Sequence, residues 1–243
     1  MPPDQLVFLH VPKTAGTSMR LFLWEIFGRN RVFWHGEDGF LEDVFRLRGP
    51  DYFKRFAVVG GHIQFSHAHL ALLPGRKVFA AVMRRPLDQV VSHFEYIANR
   101  PSHPLYSGLT LEEALASQSR FAEASRNMQC RYISNCSTAA GAVKVLERTP
   151  FMLGCFDRLD LLVEHIGATF NVTTPMFPVE NAQPVGYFNK HCTPRAAELI
   201  ADITREDEIL YQRLRKKGLL IGGVPTPRSL GRRLWDRLLG YQQ

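Results

Sequence analysis

The sequence is poor in several things, and each shortage removes a class of protein. Cys130, Cys136, Cys155 and Cys192 are too few and too scattered along 243 residues for a disulfide scaffold. None forms a C-x-x-C pair, which argues against a zinc ribbon or a thioredoxin-type centre, so four buried thiols are expected. No apolar run approaches the ~18–20 residues of a membrane-spanning helix. The first apolar stretch, residues 6–9, is short and lacks a basic lead-in. No cleavable signal is read there, and the expected location is the cytoplasm. Apolar residues themselves are not lacking: at 45% hydrophobic and 22% charged, global disorder and a fibrous repeat are excluded. The length allows one large domain or two small ones, with a substantial core.

Net charge is +7, which by itself points toward nucleic acid, a membrane surface or an anionic substrate. Its placement is uneven. Residues 213–237 hold eight Lys/Arg and one acid, and the rest of the chain is balanced at 22 of each sign. With a neutral body and no helix-turn-helix, zinc finger or aromatic RNA-binding signature, no nucleic-acid partner is expected. Within the tail, Leu230, Leu234 and Leu238 share one helical face beside Trp235, while Arg232, Arg233 and Arg237 lie elsewhere. That is the pattern of a helix lying at the inner face of a membrane, or packing on its own domain or a second subunit. The expected division is a domain over 1–217 and a basic amphipathic tail over 218–243.

Along the body, buried strands are predicted at 6–9, 31–33, 57–59, 77–83 and 151–155. Helices are predicted at 19–27, from Pro86 to about 99, at 111–117, at 139–146 and from Leu159 through Ile166. A loop over 171–194 follows, and one amphipathic helix over 196–215 closes the body through Leu199, Ile203 and Leu210. Strand–loop–helix alternation of this kind gives an α/β domain: a mostly parallel central sheet with helices on both faces.

The first strand runs into a loop, Val11-Pro12-Lys13-Thr14-Ala15-Gly16-Thr17-Ser18, and then a helix. Such a turn offers free helix amides and a partial positive charge to an anion. Lys13 adds a mobile cation, and Thr14, Thr17 and Ser18 add hydroxyls. The ATPase loop G-x-x-x-x-G-K-[ST] is a poor fit, because Lys13 precedes Gly16. The plain structural alternative is a strand-to-helix turn capped by Ser or Thr.

The string from Phe8 to Ser18 closely resembles the 5′-phosphosulfate loop of sulfotransferases that use 3′-phosphoadenosine 5′-phosphosulfate (PAPS). The nearest group looks like the carbohydrate enzymes related to heparan sulfate 2-O-sulfotransferase. The resemblance implies a P-loop-like three-layer α/β fold, with Lys13, Thr14, Ala15, Gly16, Thr17 and Ser18 holding the phosphosulfate. Val82-Met83-Arg84-Arg85-Pro86-Leu87-Asp88-Gln89-Val90-Val91-Ser92 is similar to the family's 3′-phosphate motif, which assigns that phosphate to Arg84 and Ser92. A guanidinium can grip phosphate through two parallel bonds. Gly60-Gly61-His62-Ile63 resembles the segment that presents a catalytic histidine. It implies His62 as general base and Lys13 as the group stabilising the departing phosphate. The alternatives to His62 are His35, His67 or an acid elsewhere in the chain.

His62, His67 and His69 fit no common zinc spacing, and the scheme calls on no metal. The segment 127–132 is similar to one that lines the nucleotide or acceptor cleft, and a loop over 178–190 is expected to cover the adenosine. The implied acceptor is a hydroxyl compound, a glycan by the family's named examples. Arg20, Arg29, Arg31, Arg46, Arg48, Lys54 and Arg55 are available to meet an anionic sugar or to form a solvated face. Two other classes stay in view at this point: a P-loop kinase or NTPase, and a non-catalytic anion-binding module that works through its tail.

Overall fold

The computed structural model describes residues 4–100, 104–116, 119–175 and 192–223. The expected adenosine loop over 178–190 and the amphipathic part of the tail lie outside these residues. Five strands, β1 (Gln5–Leu9), β2 (Val32–His35), β3 (Val58–Gly61), β4 (Lys77–Met83) and β5 (Phe151–Cys155), form one sheet in the order β2-β3-β1-β4-β5. Every pairing is parallel. The expected α/β architecture is therefore what is found, with all rather than most of the strands running one way.

Alternate residues of each strand go to opposite faces, as a pleated strand requires. Leu6, Phe8, Val78, Ala80 and Val82 pack beneath α1 (Gly16–Phe27) and α9 (Leu159–Phe170). Val7, Leu9, Phe79, Ala81 and Met83 pack on the other face. There they meet α2 (Leu41–Arg48), α7 (Met128–Ser134), α8 (Ala139–Arg148) and α11 (Arg205–Lys216). Both faces are covered, which explains why β1 and β4 read as unbroken apolar runs. A third apolar cluster joins α4 (Pro86–Ala98) to α5 (Leu111–Ala114), α6 (Arg120–Ser125) and α10 (Pro194–Ile203). Among the described residues no helix is long and apolar enough to cross a membrane.

Three expectations are corrected. The helix predicted from Met19 starts at Gly16, because Thr17 and Ser18 belong to its first turn. The single helix predicted over 196–215 is two, broken at the fully buried Thr204. The apolar repeat runs across the break, but Ile203 serves the third cluster while Leu210 serves the sheet. Of the four thiols, Cys130 and Cys155 are buried, whereas Cys136 is exposed and Cys192 half-buried.

Beyond α11 the chain adds one more rung beside β5. Ile221 N donates to Leu153 O, and Cys155 N donates to Ile221 O, each at 2.8 Å. Leu220 is buried under that contact.

Candidate functional site

The carboxyl ends of parallel strands are where α/β sheets open a crevice, above all where successive connections leave in opposite directions. From β1 the chain crosses to β2 on one side, and from β4 it crosses to β5 on the other. By that rule the candidate site falls between β1 and β4. The expected phosphosulfate loop leaves the first of these strands, and Arg84 leaves the second.

The loop is held by its carbonyls. Thr14 Oγ1 donates to Val11 O at 2.8 Å, Gln89 Nε2 to Pro12 O at 3.0 Å, and Arg84 Nη1 to Lys13 O at 2.8 Å. The C=O and the N–H of a trans peptide point in opposite directions. Drawing the Pro12 and Lys13 carbonyls toward Gln89 and Arg84 therefore turns the amides of Lys13 and Thr14 the other way. Lys13 and Ala15 both have φ of 66°, a left-handed conformation that costs a residue with a side chain roughly 1–2 kcal/mol. The N-cap of α1 is Ala15, and no side chain caps the helix. A turn that served only to start a helix would use Ser or Thr there. The leading amides of α1 therefore have no side-chain cap, the condition a helix start must meet to take an anion. The Thr14 hydroxyl donates to Val11 O, Thr17 is exposed and Ser18 is buried, so the loop presents mainly backbone amides.

Cations collect beside this loop. Lys13 Nζ lies 4.1 Å above the Tyr96 ring, and the Arg100 guanidinium lies 3.9 Å from the same ring. Burial lowers the Lys13 pKa, the charges of Arg84 and Arg100 push the same way, and only Glu95 opposes them. Arg84, 6% exposed, rests 4.0 Å over the Phe156 ring. Burial lowers its pKa too, against the pull of Asp88, Asp157 and Glu95. Ser92, the expected companion of Arg84, is buried two turns into α4.

On the other side of β1 the strand ends carry histidines. Leu9 and His35 are both level with Gly61, so His10, His62 and His35 stand at neighbouring strand ends. The glycines before His62 are required by space. A Cβ on Gly60 would sit 2.7 Å from the Trp34 ring, and one on Gly61 (φ 123°) would sit 2.8 Å from His35 O.

The His10 and His62 rings stack, with centroids 4.0 Å apart and an interplanar angle of 23°. His62 Nδ1 lies 3.0 Å from His10 O. A carbonyl only accepts, so Nδ1 carries the proton and Nε2 keeps its lone pair. Partial desolvation of this still exposed residue and the charge of His35 lower the pKa of His62, against the bond to the His10 carbonyl, so the ring is neutral near pH 7. Burial takes His10 well below the usual histidine value, aided by the charges of His62, Lys13 and Arg20. The His10 ring lies against the first residue of α1: a Cβ on Gly16 would fall 1.7 Å from His10 Nε2.

The remaining histidine candidates have partners of their own. His35 Nδ1 accepts from Leu41 N at 3.1 Å, His67 faces Glu42 at 3.3 Å, and His69 opens the short helix α3 (His69–Leu72). Among the described residues no group of three or more His, Cys, Asp or Glu is placed to hold a metal. Of the cations expected to meet an anionic sugar, Arg20 pairs with Glu37 and Arg29 with Asp38. Arg31 precedes β2, and Lys54 and Arg55 precede β3, at the edge of the sheet opposite the histidines.

Sequence reasoning did not assign roles to His10, Gln89, Tyr96, Arg100 or Phe156. Strand register supplies the missing signal for two of them: His10 follows Leu9 at the level of His62, and Phe156 follows Cys155 at the level of Arg84.

No family model matches the sequence. No curated protein matches it either. Solved structures do match. A sulfotransferase from Alicyclobacillus acidocaldarius superimposes with a TM-score of 0.51 at 14% identity, over 88% of this chain and 96% of the other. A mouse sulfotransferase complexed with PAP aligns over 97% of this chain and 82% of its own, with a TM-score of 0.43 and 13% identity. The first of these likenesses shows that the chain has a sulfotransferase fold.

Proposed function

We propose that the protein transfers a sulfuryl group from PAPS to an acceptor hydroxyl, with a carbohydrate as the acceptor class and adenosine 3′,5′-bisphosphate (PAP) as the product. The observation that carries this reading is a juxtaposition. An uncapped helix N-terminus lies one strand away from a neutral imidazole with an Nε2 lone pair. Lys13 precedes that N-terminus, with Arg84 on its carbonyl and Arg100 on the Tyr96 ring that Lys13 also meets.

The amides of the loop from Lys13 to Ser18 hold the phosphosulfate. Arg84 and Ser92 hold the 3′-phosphate and so select PAPS over ATP. His62 Nε2 takes the acceptor's hydroxyl proton as the new O–S bond forms. The bond between sulfur and the bridging phosphate oxygen breaks, and Lys13 stabilises the charge left on that oxygen. Alignment and fixed charge lower the barrier, and no step calls on a metal. The basic tail over 218–243 is suited to an anionic membrane surface or a subunit contact, at the cytoplasmic side.

Incubating the protein with labelled PAPS and a panel of glycan, lipid and phenol acceptors tests the reading. Label transfer that needs PAPS, and that ATP with magnesium cannot replace, is the expected result. Phosphoryl transfer from ATP instead would replace it with the kinase reading.

A further inference from the structure

We infer that Gln129 is the positioning residue of the 3′-phosphate arm, its carboxamide fixing the peptide of Arg84, and that Asp207 in turn fixes Gln129. The inference rests on the PAPS reading for the identity of the anion. The last rung of β4 on β5 is Met83 with Cys155, so the backbone of Arg84 lies just past the sheet. Both of its polar groups are taken by one side chain. Arg84 N donates to Gln129 Oε1 at 3.0 Å, and Gln129 Nε2 donates to Arg84 O at 2.8 Å.

Gln129 is fully buried and does for this residue what a further strand would do. Holding the N–H and the C=O together fixes the peptide planes on both sides of the Arg84 Cα, and with them the direction in which its side chain leaves. The guanidinium is then steadied by Phe156 at 4.0 Å and by Lys13 O at 2.8 Å. Gln89 acts elsewhere, holding the loop carbonyl of Pro12 rather than the arginine.

Gln129 is itself anchored. It lies in the first turn of α7, where Gln129 N and Cys130 N donate to the Asp207 carboxylate at 3.0 and 2.7 Å. Asp207 lies in the first turn of α11, where Asn127 Oδ1 accepts from Glu206 N at 3.1 Å and from Asp207 N at 3.4 Å. The two helices thus cap each other, and a carboxylate is favoured where two positive helix ends meet. Asp207 is fully buried. An interior carboxylate costs free energy unless it is fully bonded, so its presence calls for a purpose beyond filling space. That purpose is to hold α7 at the depth from which Gln129 reaches Arg84.

The test is calorimetric titration of the full chain with PAP and, separately, with AMP, which lacks the 3′-phosphate. A merely structural lesion weakens both nucleotides alike, whereas a misdirected Arg84 costs PAP more than AMP, because the 3′-phosphate contact is lost on top of any loosening of Lys13 O. Gln129→Ala is expected to weaken PAP by about tenfold, the loss of roughly one hydrogen bond to a charged group, while AMP changes by less than about threefold. Gln129→Glu keeps the acceptor for Arg84 N but loses the donor to Arg84 O. It is expected to shift the PAP-to-AMP ratio the same way, and it decides the matter if thermal melting shows the alanine variant unfolded. Equal losses for both nucleotides, or no loss for either, overturn the positioning role. A wild-type protein that binds PAP no better than AMP overturns the PAPS reading itself, before any variant is made.

Discussion

On the β1–β4 side of the carboxyl edge, positive charge is held in place by hydrogen bonds to backbone. On the β1–β3 side, neutral rings are held by stacking. Arg84 is tied through Lys13 O and Gln129, and Gln89 ties the loop, so a buried cation and three turned carbonyls each have a fixed partner. His10 and His62 touch face to face, and desolvation is the first cause that keeps each uncharged. A binding site for a dianion must keep its charge at every working pH, which suits Arg. A proton acceptor must shed its proton before the substrate arrives, which suits a partly desolvated His. On the proposed reading the same sheet edge serves both needs by changing what surrounds each strand end.

Substitution on either side should therefore damage different steps. His62→Ala is expected to lower kcat by about 10²–10⁴-fold with PAP affinity unchanged, because its proposed partner is the acceptor. Lys13→Ala, from the other side, should lower kcat and weaken PAP together. Single-turnover rates beside calorimetry separate the two patterns, and a His62→Ala enzyme of near-normal rate would move the base to His35, His67 or an acid elsewhere in the chain.

Arg84→Ala is expected to weaken PAP by about tenfold or more, since a charge-assisted contact is worth ~1.5–3 kcal/mol. AMP affinity should fall less, through the lost bond to Lys13 O alone. Equal affinity of the wild-type protein for PAP and AMP would remove the distinction between the two sides.

Gly16→Ala should damage both sides at once. Its Cβ would fall 1.7 Å from His10 Nε2, so the ring must leave its stack on His62 or α1 must shift. Overpacking of this kind costs about 1–3 kcal/mol, read as a lower melting temperature. Ring displacement should also shift the acid limb of the rate profile.

The smallest effect concerns pH. The pKa values of His10, His35 and His62 are all lowered in the folded protein. As pH falls below about 6.5, the unfolded chain binds protons that the native state refuses. Unfolding free energy should therefore decline on acidification from pH 7 to pH 5 and recover on return. The acid limb of kcat/KM should have its midpoint below 6.5. A midpoint above that value would mean that His62 is stabilised as a cation, and the contrast between the two sides would disappear.

Much of the fold was legible in chain order. The five strands stand close to where apolar runs and turn residues place them, and the parallel sheet follows from strand–helix alternation. The loop was legible because Lys, Thr, Gly and Ser fall together directly after a buried strand. Its capping was not. Ser and Thr are available for an N-cap, yet Ala15 occupies it, because the loop carbonyls are drawn to Gln89 and Arg84, side chains more than seventy residues away. The break at Thr204 was hidden for a similar reason. Periodicity records that a residue is apolar but not which cluster it enters, and Asn127 supplies the new helix start from 79 residues away.

By itself the sequence determined where the buried strands lie and which way the sheet runs, and it marked one loop as a candidate for an anion, since those follow from periodicity and local backbone chemistry. Only the tertiary structure decided which nitrogen of His62 keeps its lone pair, which side chain aims Arg84, and why Gly16 has no alternative. Each of these depends on atoms brought together by strand register or helix packing. Such pairings are long in sequence and short in space, and no local pattern records them.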